Sequence, residues 1–387
     1  MNNDNLMKLA EDLVSFGSKM GANQIEVTVN EGNEFSVDVR EQEVERLVQA
    51  GSKGLSFRLF VEGKMARASS SDLSKETLEK LVVNAIDRAK LSSADPFSGL
   101  PEKESLNVDV EKLGIWDPAI LELSPEKKIS TAKETERICL SDKRVKKSFG
   151  AFFGTYSGVI YLANSNGFSG SYRRTACSSG VYLQSGDEPN LFDEGWGDSS
   201  CLLANLESPE EIAKKAIHRV TRLIGARKVE TQNVPVVFES PMTAGLLNFL
   251  YSCINGNNVY LKQSFLEGKL GEKIGNDLVT IIDDGLIPGA AGTKPFDGEG
   301  VPVRKTVVIE KGVLKNYLMD TYSGRKLRMK STGNSSGPNN FYLAAGVSTP
   351  EEIIKSVEKG LFLTGTIGFG MVPTTGDISR GAFGIWI

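Results

Sequence analysis

The chain holds one histidine, His218, in 387 residues. That scarcity excludes a metal centre built on two imidazoles and leaves a Ser-His-Asp triad almost no room. Cysteine is nearly as sparse. Cys139, Cys177, Cys201 and Cys253 lie far apart and make no C-x-x-C pair, so they read as reduced, partly buried thiols. No apolar run approaches the length of a membrane span, and the start MNNDNLMKLAEDLVSFG lacks a signal-peptide pattern. The expected address is the cytoplasm, with no membrane partner. A large excess of one charge is missing too: a net charge of -4 gives no bulk attraction to nucleic acid. Glycine is plentiful, yet it forms no G-x-x-x-x-G-K-[ST] loop and no dinucleotide fingerprint, so no nucleotide is implied.

Against these absences stand 40% hydrophobic and 24% charged residues, the balance of a soluble globular chain. The length exceeds one ordinary core, so two or three domains are expected. An amphipathic helix opens the chain, with Leu6, Leu9, Ala10, Leu13, Val14 and Phe16 at helical spacing. Four or five strands follow. QIEVTVN, EFSVDVR and GLSFRLFV alternate apolar and polar residues as half-buried strands do, and EVERLVQA takes the same state from its place among them. The helix SKETLEKLVVNAIDRAK closes this α+β unit, residues 1–95. Pro96, Pro101 and their glycine and serine neighbours mark 96–123 as a linker.

A second α+β unit, 124–230, starts with a helix capped by Ser124 with Pro125 in its first turn. Strands KSFGAFFGTYSGVIYLAN and GSYRRTACSSGVYLQ come next, then a polar and aromatic loop through EPNLFDEGWGDSS. Ser208-Pro209-Glu210-Glu211 opens the closing helix with a capping box. Residues 231–387 are dominated by strands: VPVVFES, LVTIIDD, a hairpin turning at Lys311-Gly312, NNFYLAAG, GLFLTGT and RGAFGIWI. A short apolar helix around AGLLNFLYSC and another capped by Thr349 interrupt them. The expected class is α+β, with mixed sheets and flanking helices in the N-terminal half and a strand-rich, barrel-like C-terminal domain. The last strand stops without a closing turn, which reads as a truncated end with an apolar edge.

The third unit carries the most specific pattern. SFLEGKLGEKIGNDLVTIIDDGLIPG, PFDGEGVPVRKTVVIEKGVLKNYLMDTYSGRKL, STGNSSGPNNFYLAAG and IGFGMVPTTGDISRGAFGIWI resemble, in order, blocks of the TldD/PmbA family. That family is often labelled modulator of DNA gyrase and is placed among metallopeptidases. The first two units fit its plan through DVREQEVERL and ASSSDLSKETLE. The resemblance implies one of two branches. TldD-like members carry His-Glu, three further residues and His on a helix, with a later cysteine completing a zinc site. PmbA-like members, also called TldE, share the fold without those ligands.

The family's zinc helix falls on Leu247 to Cys253, where Asn248 stands for the first histidine, Phe249 for the glutamate and Cys253 for the second histidine. Catalytic zinc needs three protein ligands, an open position and a base beside it. Asn248 and Phe249 supply none of these, and KGLFLTGTIGFG offers no later cysteine. The resemblance therefore implies a member without metal, cofactor or catalytic residues of its own, inactive when alone. Leu246, Leu247, Leu250 and Tyr251 read as packing residues.

Other candidates have plainer uses. His218 lies beside the buried stripe of its helix, as a half-exposed side chain. Asp283, Asp284, Asp297 and Glu299 sit in turns, where carboxylates bond nearby backbone; a hydrolase built on Asp283 and Asp297 with a hard cation is the least favoured reading. Arg325, Lys326, Arg328 and Lys330 form a short basic run beside the Gly/Asn-rich loop 331–340. That loop leads into NFYLAA, whose strand edge suits an extended peptide by β-augmentation. The expected function is a non-catalytic peptide-binding or structural subunit of a TldD/TldE-type metallopeptidase, paired with a TldD-like zinc-bearing subunit. Peptide contact is expected at Ser264, Phe265, Arg325, Asn334, Asn339 and Asn340. The alternative is a stand-alone homodimeric scaffold that modulates a partner such as gyrase.

Overall fold

A computed structural model describes residues 3–387 and separates them into two compact units. Unit 1 runs to Arg227 and includes Ile287–Pro295; unit 2 comprises Lys228–Leu286 and Phe296–Ile387. Among the described residues, no helix is long and apolar enough to cross a membrane.

One antiparallel sheet organises unit 1. Strand β1 (Gln24–Arg40) pairs with β2 (Glu43–Val61) on one side and β4 (Val145–Asn164) on the other. With β3 (Lys64–Ser70), β5 (Ser169–Asp187) and β6 (Asn190–Ser200), the order is β3-β2-β1-β4-β5-β6. Strands from either side of residues 96–123 thus lie in one sheet. The helices are α1 (Asn3–Lys19), α2 (Lys75–Leu91), α3 (Pro118–Glu122), α4 (Pro125–Leu140) and α5 (Pro209–Thr221). Because strand side chains alternate, the odd positions of β1 share one face. Ile25, Val27 and Val29 pack there in one core with Leu6 and Ala10 of α1 and Val82 of α2. Phe35, Val37 and Val39 pack further along with Ala132 of α4, and Val181 and Leu183 of β5 with Ala213 and Ala216 of α5. Each valine, leucine, isoleucine or phenylalanine so taken out of water contributes about 2 kcal/mol, the alanines less. The even positions of β1 from Glu34 to Asp38 face the other way, away from the helices.

Two local expectations change. The four or five short strands of the first unit are three long ones. The gaps between the expected strands lie inside β1 and β2, where Gly32 pairs with Ser52 and Gly51 with Asn33. The stretch EPNLFDEGWGDSS is a strand rather than a loop: β6 pairs with β5 along its whole length. As an edge strand it stays polar, yet it turns Trp196 and Glu194 towards α5. The Trp196 indole N–H donates to Glu207 at 2.9 Å, and Arg219 meets Glu194 at 3.2 Å.

The β1–β2 turn is held from outside. Glu41 and Gln42 have φ of 53° and 64°, the left-handed pair that usually selects Asn-Gly. Glu136 of α4 accepts both of their backbone N–H groups, at 3.1 and 2.8 Å, and the Gln42 side-chain amide at 3.0 Å.

Unit 2 has two small sheets. Its strands are β7 (Val236–Phe238), β8 (Ile281–Asp284), β9 (Lys305–Glu310), β10 (Val313–Leu314), β11 (Phe341–Leu343), β12 (Leu361–Val372) and β13 (Asp377–Trp386). They form the orders β10-β9-β8-β11 and β13-β12-β7. The helices are α6 (Ser240–Ile254), α7 (Gly256–Tyr260), α8 (Thr321–Lys326) and α9 (Pro350–Lys355). The hairpin of β9 and β10 turns at Lys311 and Gly312 with φ of 47° and 76°, and Thr349 caps α9 in a full capping box. The α+β class holds across both units.

Candidate functional site

Helix α6 carries Pro241 in its first turn, where no N–H is needed, and is closed after Ile254 by Asn255. Asn255 closes one helix and opens the next: its side chain accepts from the Asn257 N–H at 3.0 Å and donates to the Tyr251 hydroxyl at 2.9 Å. Ser264 secures the same end. Its hydroxyl donates to the Cys253 carbonyl, one of the orphan acceptors of a helix terminus, and accepts from the Leu266 N–H at 3.0 Å. Ser264 is therefore buried and occupied within the unit. Phe265, next to it, is exposed; its N–H donates to the Pro373 carbonyl at 2.8 Å and its ring lies against Gly376 in the β12–β13 turn.

The three positions singled out on α6 diverge. Asn248 is exposed. Phe249 is half-buried and packs on the core that includes Ile254, Val259 and Leu266. Cys253 is fully buried in that core, and burial pushes its thiol up to about 11. That thiol is enclosed by the side chains of the core, and neither Asn248 nor Phe249 offers a second metal ligand beside it. An exposed amide, a phenyl ring and a core thiol do not fit zinc. Among the described residues, no three His, Cys, Asp or Glu side chains converge as a metal site.

The loop 331–340 is fastened to carboxylates. Asp283, fully buried at the end of β8, accepts the side-chain amides of Asn334 and Asn339 at 2.8 Å each and the Asn339 N–H at 2.7 Å. Asp297 accepts the N–H groups of Glu299, Val301 and Ser335 at 2.9, 3.0 and 3.0 Å. Burial raises its carboxyl above the ordinary value, the nearby Glu299 charge adds to that, and the Ser335 N–H opposes both. Glu299 in turn accepts from the Thr321 N–H at 2.9 Å, at the start of α8. These carboxylates are spent on holding backbone. Arg325 is half-buried in the last turn of α8, whose first turn is capped by Asp320.

What the loop delivers is strand β11. Asn340 prolongs its pairing: the Asn340 carbonyl accepts the Asp284 N–H at 3.0 Å, and its side chain donates to the Asp284 carbonyl at 2.7 Å. β11 pairs with β8 alone, and among the described residues no strand occupies its other edge. Helix α6 stands beside it, with the Tyr251 and Phe341 rings edge to face at 6.4 Å between centroids. Tyr251 keeps its proton well above neutral pH, first because it is buried and further because Asp283 and Asp320 are near, against the Asn255 hydrogen bond. The arrangement offers unpaired backbone groups on β11 and a neutral phenol beside it, the elements that dock an extended chain.

Asn334, Asn339 and Asn340 thus come together around Asp283 and Asp284, while Ser264 sits at the C-terminal end of α6. Asn334 and Asn339 direct their amides inward. Tyr251, expected only to pack, also offers its hydroxyl as an acceptor. Its spacing four residues before Asn255 was the available signal for the hydroxyl's partner.

Residues 231–387 match the C-terminal domain of the PmbA/TldA metallopeptidases, 118–224 the central domain and 25–89 the first domain. The chain is 32% identical to the metalloprotease PmbA of Escherichia coli O157:H7, over 98% of this chain and 85% of that protein. It is 30% identical to the PmbA homologue of Haemophilus influenzae, over 97% and 83%. A crystal structure from Bacteroides thetaiotaomicron, of a protein named as a candidate modulator of DNA gyrase, superposes with a TM-score of 0.92 at 30% identity, over 100% of this chain and 87% of that one. TldE of Thermococcus kodakarensis has the same fold, with a TM-score of 0.83 at 22% identity, over 97% and 89%.

Proposed function

Because the chain belongs to the PmbA/TldA metallopeptidase family, we propose that it is the non-catalytic, peptide-holding subunit of a two-component cytoplasmic metallopeptidase. The observation that carries this reading is the fate of the three positions on α6. Asn248 faces solvent, Phe249 packs, and Cys253 is a core thiol, so the chain supplies neither a zinc ligand set nor a base. A zinc-bearing relative with His-Glu-x-x-x-His provides both.

This subunit's part is to hold unfolded peptide at the open edge of β11. Main-chain hydrogen bonds to the edge give sequence-tolerant affinity, and the rings of Tyr251 and Phe341 give an apolar contact beside it. The carboxylate-pinned loop fixes the edge in place before peptide arrives, which lowers the ordering cost of binding. The test is reconstitution. The chain is mixed with its zinc-bearing relative, and cleavage of an unstructured peptide is followed for each protein and for the mixture. The mixture cleaves and this chain alone does not. Self-association only, with no effect on the relative, would sink the proposal in favour of a stand-alone scaffold.

A further inference from the structure

The face of the unit 1 sheet turned away from its helices carries a groove that the β11 edge does not involve. Its floor crosses four strands on small residues. Ser36 of β1, Gly154 of β4, Ser178 of β5 and Ser199 of β6 are cross-strand neighbours in one row. Phe152 walls one side and Tyr156 the other, each two positions from Gly154, so their α-carbons stand about 13 Å apart. Both rings are open to solvent, at 39% and 40% of their surface.

These rings are seated on bare backbone. A β-carbon at Gly180 would lie 2.7 Å from the Phe152 ring, and one at Gly32 would lie 3.0 Å from the Tyr156 ring. One at Gly158 would strike the Tyr156 hydroxyl. Gly180 and Gly32 on the neighbouring strands, with Gly158 on β4 itself, are what let the rings lie down and leave the row between them clear. Rings so held are ordered before anything binds, which saves entropy on binding.

Size and charge point to the occupant. The groove encloses about 480 Å³, and its lining includes one carboxylate, Glu34, and no lysine or arginine. Glu34 is exposed and stands opposite Tyr156 in register. A phosphate-bearing ligand would meet that carboxylate with no cation to offset it. The four-strand floor spans about 14 Å, the length of roughly four extended residues.

We propose that this groove is a second peptide site, which takes an extended segment with an apolar or aromatic side chain between Phe152 and Tyr156 and a lysine or arginine against Glu34. It rests on the peptide-holding reading above and adds a substrate preference, basic and aromatic, on a separate unit. Aromatic side chains stack on such walls, and the cation gains from both the carboxylate and the ring faces.

The experiment is photocrosslinking with a short Gly/Ser peptide that carries one benzoylphenylalanine flanked by lysines, beside a sister peptide with glutamates in their place. The lysine peptide is expected to label 152–156 and 176–178, and the glutamate peptide about tenfold less. Ser178→Trp and Ser36→Trp, whose side chains would fill the open groove, each remove that labelling. Using both guards against one of them misfolding. Glu34→Gln lowers labelling by the lysine peptide about threefold and raises labelling by the glutamate peptide, because the like-charge repulsion is gone. Labelling confined to 341–343 overturns the groove and leaves the β11 reading intact; labelling at neither place overturns both. Labelling of 152–156 without 341–343 supports the groove and counts against β11. Equal labelling by the two peptides overturns the groove's charge preference and with it the proposal.

Discussion

Asn339 meets Asp283 twice, through its backbone N–H to Oδ1 at 2.7 Å and through its side-chain amide to Oδ2 at 2.8 Å. Asn334 brings a second amide to the same Oδ2. One buried carboxylate thereby fixes both ends of the loop 331–340 and sets the position of β11.

Removing that carboxylate strands several buried donors. Asp283→Ala is expected to cost about 3 kcal/mol or more, since a buried donor left unpaired costs roughly 1–3 kcal/mol. Asp283→Asn keeps one acceptor and costs less. Urea unfolding midpoints measure both. Amide exchange across 331–343 should quicken in Asp283→Ala well before global unfolding, because the loop loses its anchor first.

Glu136 is the corresponding anchor in unit 1. Glu136→Ala removes the acceptor for three N–H groups at the β1–β2 turn, two of them backbone groups, all on residues with left-handed φ. A loss of about 3 kcal/mol is expected, and about half of it for Glu136→Gln. Calorimetry distinguishes the two. A change within experimental error for Glu136→Ala would mean that the turn holds itself.

Thiol chemistry gives a pH-dependent prediction. Burial pushes Cys139 up to about 12, with the Glu136 charge adding to it, and pushes Cys177 and Cys253 up to about 11 from an ordinary value of 9.0. All four cysteines are buried. At pH 8 the native chain should therefore resist a thiol reagent that labels all four in denaturant. The folded values are raised, so the stability they carry is complete below pH 9 and is lost as the pH climbs through 11 and 12. The melting temperature should fall over that window, and less steeply in Cys253→Ala.

Much of this was legible from residue patterns. The Ser124, Ser208 and Thr349 caps act as the sequence predicts, because a cap is a local bond between residues three apart. The Lys311-Gly312 turn is equally local. Strand continuity through Gly32 and Gly51 was not legible, since the apolar alternation lapses around them and only pairing with the neighbouring strand carries it through. β6 was missed because none of its residues is fully buried, so no apolar alternation marks it as a strand. At the candidate site, the sequence named Asn334, Asn339 and Asn340 as a group. It could not tell that Asp283, some fifty residues away, draws two of their amides inward.

Whether this polypeptide carries its own catalytic metal decides its role. The direct measurement is zinc content by mass spectrometry after purification with zinc present, paired with cleavage of an unstructured peptide by the same sample. No retained zinc and no cleavage are expected, with activity on adding the zinc-bearing relative. Stoichiometric zinc and steady turnover by this chain alone would contradict the non-catalytic role.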